Sequence, residues 1–98
     1  DMPRVPVNAA ARFSRSGGTG QTRVTLRNPS RSIAFFVRLQ VTGGRGEEAL
    51  PVLWEDNYVS LLPGETRTLT ATYRVRDLGG APPRVVVTGW NVRRTVAR

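Results

Sequence analysis

The sequence predicts an all-β chain folded as two antiparallel sheets packed face to face. Three observations carry that prediction. Apolar and polar residues alternate in steps of two along most of the chain, no segment keeps a helical period, and clusters of Gly, Pro and Asn cut the alternation into short runs. At 98 residues the chain has the length of one domain, and such a domain buries roughly two-thirds of the surface its unfolded chain exposes.

Each run has its own justification. Residues 5–13 supply a first strand, and the Gly-rich stretch 14–20 a flexible turn. In 21–28, Val24 and Leu26 alternate with Arg23, Thr25 and Arg27, the pattern of a strand with one wet face. Asn28, Pro29 and Ser30 form a turn, because Pro removes a ladder donor and Asn tolerates turn geometry. Residues 32–42 are the longest strand, with Ile33, Phe35, Val37, Leu39 and Val41 on one face and Ala34, Phe36, Arg38 and Gln40 on the other. A loop at 43–48 follows. The short strand at 50–54 begins beside Pro51, which suits a sheet edge. Pro63 and Gly64 make a tight turn. In 66–76, Leu69, Ala71, Tyr73 and Val75 oppose Thr68, Thr70, Thr72 and Arg74. Residues 77–83, with two Gly and two Pro, are a loop. Residues 85–90 are apolar on both faces and read as a central strand. Trp90 closes that strand as a structural, core-filling residue, and Gly89 beside it permits close approach of another segment. Six to seven strands at this spacing, joined by Gly/Pro turns, describe an immunoglobulin-like sandwich. The Cys–Trp–Cys spacing of antibody domains is absent.

The net charge of +8 comes from 15 Arg and no Lys. Basic balance raises the prospect of a nucleic-acid partner. The Arg residues are scattered, however. Only Arg93 and Arg94 are adjacent, and no Arg run interleaves with aromatics as a single-strand groove requires. A solvated surface and a coding bias toward Arg account for the charge. No apolar run approaches the roughly 20 residues of a membrane helix, so neither nucleic acid nor membrane is an expected partner. No signal-peptide pattern is visible, and the first residue is Asp1, which suggests a processed protein or a fragment.

The inventory speaks against an enzyme. Cys, His and Lys are all missing, which removes thiolate metal sites, imidazole chemistry and Schiff bases. Seven carboxylates remain. Glu47 and Glu48 sit in the Gly-rich loop, and Glu55 and Asp56 are neighbours that face opposite ways on an extended strand. A glycosidase pair needs two carboxyls held rigidly about 5–9.5 Å apart. Glu55, Asp56 and Asn57 offer oxygen ligands but no spaced ladder of the kind calcium uses, so no metal and no cofactor is expected. The stretch 16–20 lacks the Lys-Ser/Thr ending of a phosphate loop.

The run VLWEDNYVSLLPGET, residues 52–66, concentrates Glu55, Asp56 and Glu65. Two readings are open. In the structural one, Leu53 and Trp54 end an edge strand, Asp56 and Asn57 bond nearby backbone in a turn, Leu61 and Leu62 re-enter the core, and Glu65 is a solvated turn residue. In the functional one, Trp54 or Tyr58 is a flat sugar platform and Glu55 or Asp56 accepts hydrogen bonds from an amine.

Residues 52–75, with VVVTGWNV at 85–92 and VTLRNPSRSIAFFVRLQV at 24–41, resemble the C-terminal immunoglobulin-like domain of exo-β-D-glucosaminidases, in the glycoside hydrolase family that also holds β-galactosidases and β-mannosidases. The resemblance implies a non-catalytic module of a large enzyme that removes glucosamine from chitosan oligosaccharides, with its catalytic carboxylates on a separate barrel. No residue of this chain matches those carboxylates. It further implies that the partners are the other domains of the parent enzyme and an amino-sugar oligosaccharide, and that residence is periplasmic or extracellular. The candidate substrate-edge contacts are Trp54, Glu55, Asp56, Asn57 and Tyr58; Trp90, Pro63, Gly64 and Gly89 are structural. The alternative is a free-standing carbohydrate-binding or adhesive sandwich.

Overall fold

A computed structural model describes residues 4–43, 52–54, 58–78 and 82–97. It is a sandwich of two four-stranded sheets. The first has the order β1-β2-β6-β4 and the second β5-β3-β7-β8. The strands are β1 (Asn8–Ser16), β2 (Thr19–Arg27), β3 (Ala34–Thr42), β4 (Val52–Trp54), β5 (Tyr58–Leu61), β6 (Thr66–Arg74), β7 (Arg84–Gly89) and β8 (Val92–Ala97). Every pairing between them is antiparallel. A 3₁₀ turn, Val75–Leu78, follows β6.

The alternation explains the sheets. In β2 and β6 the inward residues Val24, Leu26, Leu69, Ala71 and Tyr73 are buried. The outward ones are polar, paired across the strands as Gln21 with Thr72, Arg23 with Thr70 and Thr25 with Thr68. The facing sheet contributes Val37, Leu39, Val41, Val59, Leu61, Val85, Val87 and Val92. The core is therefore dominated by Val, which packs well on a pleated surface. β7 lies inside its sheet with Val85, Val86 and Val87 all buried, as an apolar run on both faces requires.

Four details differ from the sequence reading. The first strand starts at Asn8 and runs to Ser16, closed by a two-residue turn at Gly17-Gly18. Val5 instead makes a parallel bridge to Val92 on the other sheet, because Pro6 interrupts the ladder. Residues 92–97 form β8, which the adjacent Arg93 and Arg94 disguise, and β5 is a separate edge strand. Most consequential is β3. Ala34 pairs with Leu61 and Val37 with Val59, so β3 has one more residue than its partner in that interval. This bulge flips the faces. Val37, Leu39 and Val41 point inward as expected, but before the bulge Ala34 takes the core position, and Phe35 is only half-buried.

Candidate functional site

The corner between β4 and β5 connects the outer strands of the two sheets. β4 is the edge of one, paired with β6 through Trp54 and Ala71; β5 is the edge of the other, paired with β3 through Tyr58 and Arg38. Glu55, Asp56 and Asn57 lie outside the described residues, as do the side chains of Trp54 and Tyr58. The two sheets are reached within a few residues because Val59 and Leu61 anchor β5 in the core immediately afterwards.

Below this corner the chain is clamped by Asn28. Its side chain is fully buried. Nδ2 donates to the carbonyls of Ser32 (2.7 Å) and Leu61 (3.0 Å), while Oδ1 accepts the Ser30 N–H (3.0 Å) and the Ser30 hydroxyl (2.7 Å). Its backbone is used as well: the Asn28 N–H donates to the Glu65 carbonyl, and the Asn28 carbonyl accepts the Gly64 N–H. The partner segment is the turn Leu62-Pro63-Gly64-Glu65. The Glu65 N–H bonds the Leu62 carbonyl at 3.0 Å, and Gly64 has φ +76° at the third position, the geometry of a type II turn with Pro before Gly. Two expectations about this turn need correction. Leu62 is exposed, because β5 ends at Leu61 and the next side chain faces out. Glu65 is not merely solvated: its Oε1 accepts the Leu62 N–H at 2.8 Å and closes the turn from the other side.

A second buried amide, Asn91, holds the start of β3 one residue further on. Oδ1 accepts the Phe35 N–H (2.8 Å) and Nδ2 donates to the Ile33 carbonyl (2.8 Å), replacing ladder bonds lost before the bulge. The Asn91 carbonyl also receives the Val5 N–H. Asn91, not Trp90, enters the interior. Trp90 is 69% exposed, which overturns its reading as a core-filling side chain. The reason is local: Trp90 occupies the β7–β8 turn, its N–H bonded to the Phe35 carbonyl at 3.1 Å, so its ring projects outward. Gly89 is needed at this crossing. A Cβ there would sit 2.7 Å from Val92 Cγ2 and 3.1 Å from the Phe35 carbonyl oxygen. On the surface the rings of Phe35, Phe36 and Trp90 gather with centroids 6.1–6.4 Å apart. Phe36 is 57% exposed and holds φ +50°, an uncommon backbone state for an aromatic residue.

Neither corner presents acid/base machinery among the described residues. No group of three His, Cys, Asp or Glu side chains there converges to hold a metal ion. Glu65 Oε1 is engaged by backbone. An open cleft of about 450 Å³ at one end is lined mostly by apolar side chains, with Tyr73, Leu78 and Pro83 among them and Arg15 as its charge. The Tyr73 hydroxyl is buried against Thr22 Oγ1 at 2.7 Å, a core bond that the alternation pattern does not reveal.

Relatives of known activity share this fold. The family model described as the exo-beta-D-glucosaminidase Ig-fold domain matches residues 1–92. An exo-beta-D-glucosaminidase of Streptomyces avermitilis is 47% identical over 93 residues, which is 92% of this chain and 10% of that protein. The crystal structure of Amycolatopsis orientalis exo-chitosanase CsxA superposes with a TM-score of 0.90 at 45% identity, covering 96% of this chain and 11% of that one. The periplasmic chaperone SfaE shares the fold alone, at 14% identity and a TM-score of 0.61. The chain thus spans about a tenth of the length of the glucosaminidases it matches. Fold and sequence agree along nearly its whole length, and the chain belongs to the family of exo-β-D-glucosaminidase immunoglobulin-fold domains.

Proposed function

We propose that the chain is a non-catalytic accessory domain of an exo-β-D-glucosaminidase acting on chitosan oligosaccharides, and that it works by packing on the other domains of that enzyme. The observation that carries this reading is the share of its relatives that it represents: a tenth of proteins named for one activity, in a segment without His, Cys or Lys. Periplasmic or extracellular residence goes with that parentage. The charge supports packing over whole-surface attraction to substrate. Glucosamine units are cationic in mildly acidic solution, and a +8 domain repels them at long range. The β4–β5 corner keeps its structural role of joining the two sheet edges.

The test is direct. The chain produced alone is assayed with an aryl β-glucosaminide beside the parent enzyme. The parent turns over and the chain alone does not. Turnover that co-purifies with the chain and disappears when one of its carboxylates is neutralised overturns the reading.

A further inference from the structure

We infer that the Phe35–Phe36–Trp90 corner is the surface by which this domain docks onto an apolar socket of a neighbouring domain in the same polypeptide. The inference rests on the accessory-domain reading and adds the face that is used. Three observations point to a docking face. The rings form one cluster, with centroid separations of 6.1, 6.4 and 6.4 Å. The two outer rings stand well clear of the domain, at 57% and 69% exposure. The backbone is built to present them: Phe36 is held at φ +50° in a bulge, Asn91 bonds the Phe35 N–H and the Ile33 carbonyl, and the Trp90 backbone N–H is tied to the Phe35 carbonyl. An aromatic residue in a sparsely populated backbone state, next to one held by a buried amide, is strain kept for a use.

The occupant follows from shape, area and length. The ring planes are inclined by 40°, 61° and 48° to one another. They are far from coplanar, whereas a pyranose stacks on a flat face. The exposed parts of Phe36 and Trp90 come to about 280 Å², taking ring side chains of roughly 200–250 Å². That is close to the roughly 300 Å² at the lower end of the largest apolar patch on a typical monomer, and far below the roughly 800 Å² per partner of a free-standing protein complex. A patch of this size suits a contact between covalently tethered domains, which avoids the loss of translational freedom that separate molecules suffer. The relatives carry nine-tenths of their length outside this domain, and CsxA shows the same proportion.

Hydroxyl-radical footprinting read by mass spectrometry tests the inference on the chain alone and on the full-length parent. Trp90 and Phe36 are expected to oxidise at least about tenfold more slowly in the parent, as rings moved from solvent into a packed interface core do. Equal rates in the two overturn the inference. So does protection that appears only when glucosamine oligosaccharide is added, which makes the corner a sugar platform, or protection of the isolated chain that grows with its concentration, which makes it a self-association face. The double variant Phe36→Ser, Trp90→Ser supplies a second readout. In the parent, the domain is expected to melt as a separate transition at the temperature of the isolated variant chain; a parent that still melts as one unit counts against docking through this corner. Turnover of an aryl β-glucosaminide is followed in parallel. A parent without it refutes the accessory-domain reading, whereas an active parent with unprotected rings refutes only the docking face.

Discussion

Replacing Asn28 with Ala removes the clamp that ties the end of β2 to Ser30, Ser32 and the end of β5. The change removes the partner of the buried Leu61 carbonyl, and it also removes the part-buried bonds to the Ser30 N–H and to the Ser32 carbonyl, which keeps the Ser30 hydroxyl. A buried polar group left unpaired costs about 1–3 kcal/mol, and each part-buried bond contributes about 0.5–1.5. The sum over one buried and two part-buried groups is about 2–6 kcal/mol, a large share of the roughly 5–15 typical of a domain. In urea, with a slope of about 1–1.5 kcal/mol per molar, the middle of that range, about 4 kcal/mol, lowers the midpoint by roughly 3–4 M. A shift under about 0.5 M shows that the clamp does not hold the turn. Asn28→Asp sharpens the test. It places a carboxylate oxygen where Nδ2 now meets two carbonyls, so its folded pKa is raised above the ordinary value near 3.9. A raised folded pKa adds stability that is fully present below the unfolded pKa and is lost as pH rises through the folded one. The variant is therefore weakest at neutral pH and regains ground on the wild type as pH falls toward about 4. Asn8→Asp, on the exposed start of β1, supplies the same charge without the effect. A difference between Asn28→Asp and wild type that stays flat with pH contradicts the reasoning.

The remaining predictions concern the two corners. Trp90→Ala in the isolated chain costs about 1 kcal/mol, the scale of an aromatic pair, and not the roughly 3–5 of a buried ring; chemical denaturation distinguishes them. Gly89→Ala forces its new methyl against Val92 and the Phe35 carbonyl and lowers stability by about 1–3 kcal/mol, measured the same way. Glu65→Gln keeps an acceptor for the Leu62 N–H and changes the midpoint little, whereas Glu65→Ala loses about 0.5–1.5 kcal/mol. In the parent enzyme, Glu55→Gln, Trp54→Phe and Tyr58→Phe are expected to leave kcat/KM within about twofold. A fall for Glu55→Gln with unchanged stability moves the β4–β5 corner to the edge of the active site.

Much of the sandwich is legible in the alternation because burial on one face of a sheet writes period two directly into the residues. Val24 with Leu26, and Leu69 with Ala71 and Tyr73, need nothing else. The edge position of β4 follows from Pro51 in the same way. The bulge in β3 is a different matter. The pattern of 32–42 alternates without interruption, and only pairing with β5 shows that Phe35 and Phe36 occupy one step of the ladder. Trp90 misleads in a similar way: large aromatics usually fill cores, and nothing in Gly89-Trp90-Asn91 says that the amide turns in and the indole turns out. Asn28 and Asn91 look like ordinary turn residues in the sequence. Their importance lies in partners 33 and 56–58 positions away, which short-range reading does not reach.

If this domain has no chemistry of its own and serves a larger glycosidase by packing on it, supplying it in trans should repair an enzyme from which it is missing. The most direct test titrates a parent enzyme that lacks the domain with the separately produced chain, following aryl β-glucosaminide turnover and the thermal midpoint together. The expected result is that the deleted enzyme is impaired, that the chain alone is inert, and that adding the chain raises both quantities saturably. Turnover by the chain alone, or a folded chain that leaves activity and midpoint of the deleted enzyme unchanged, contradicts it.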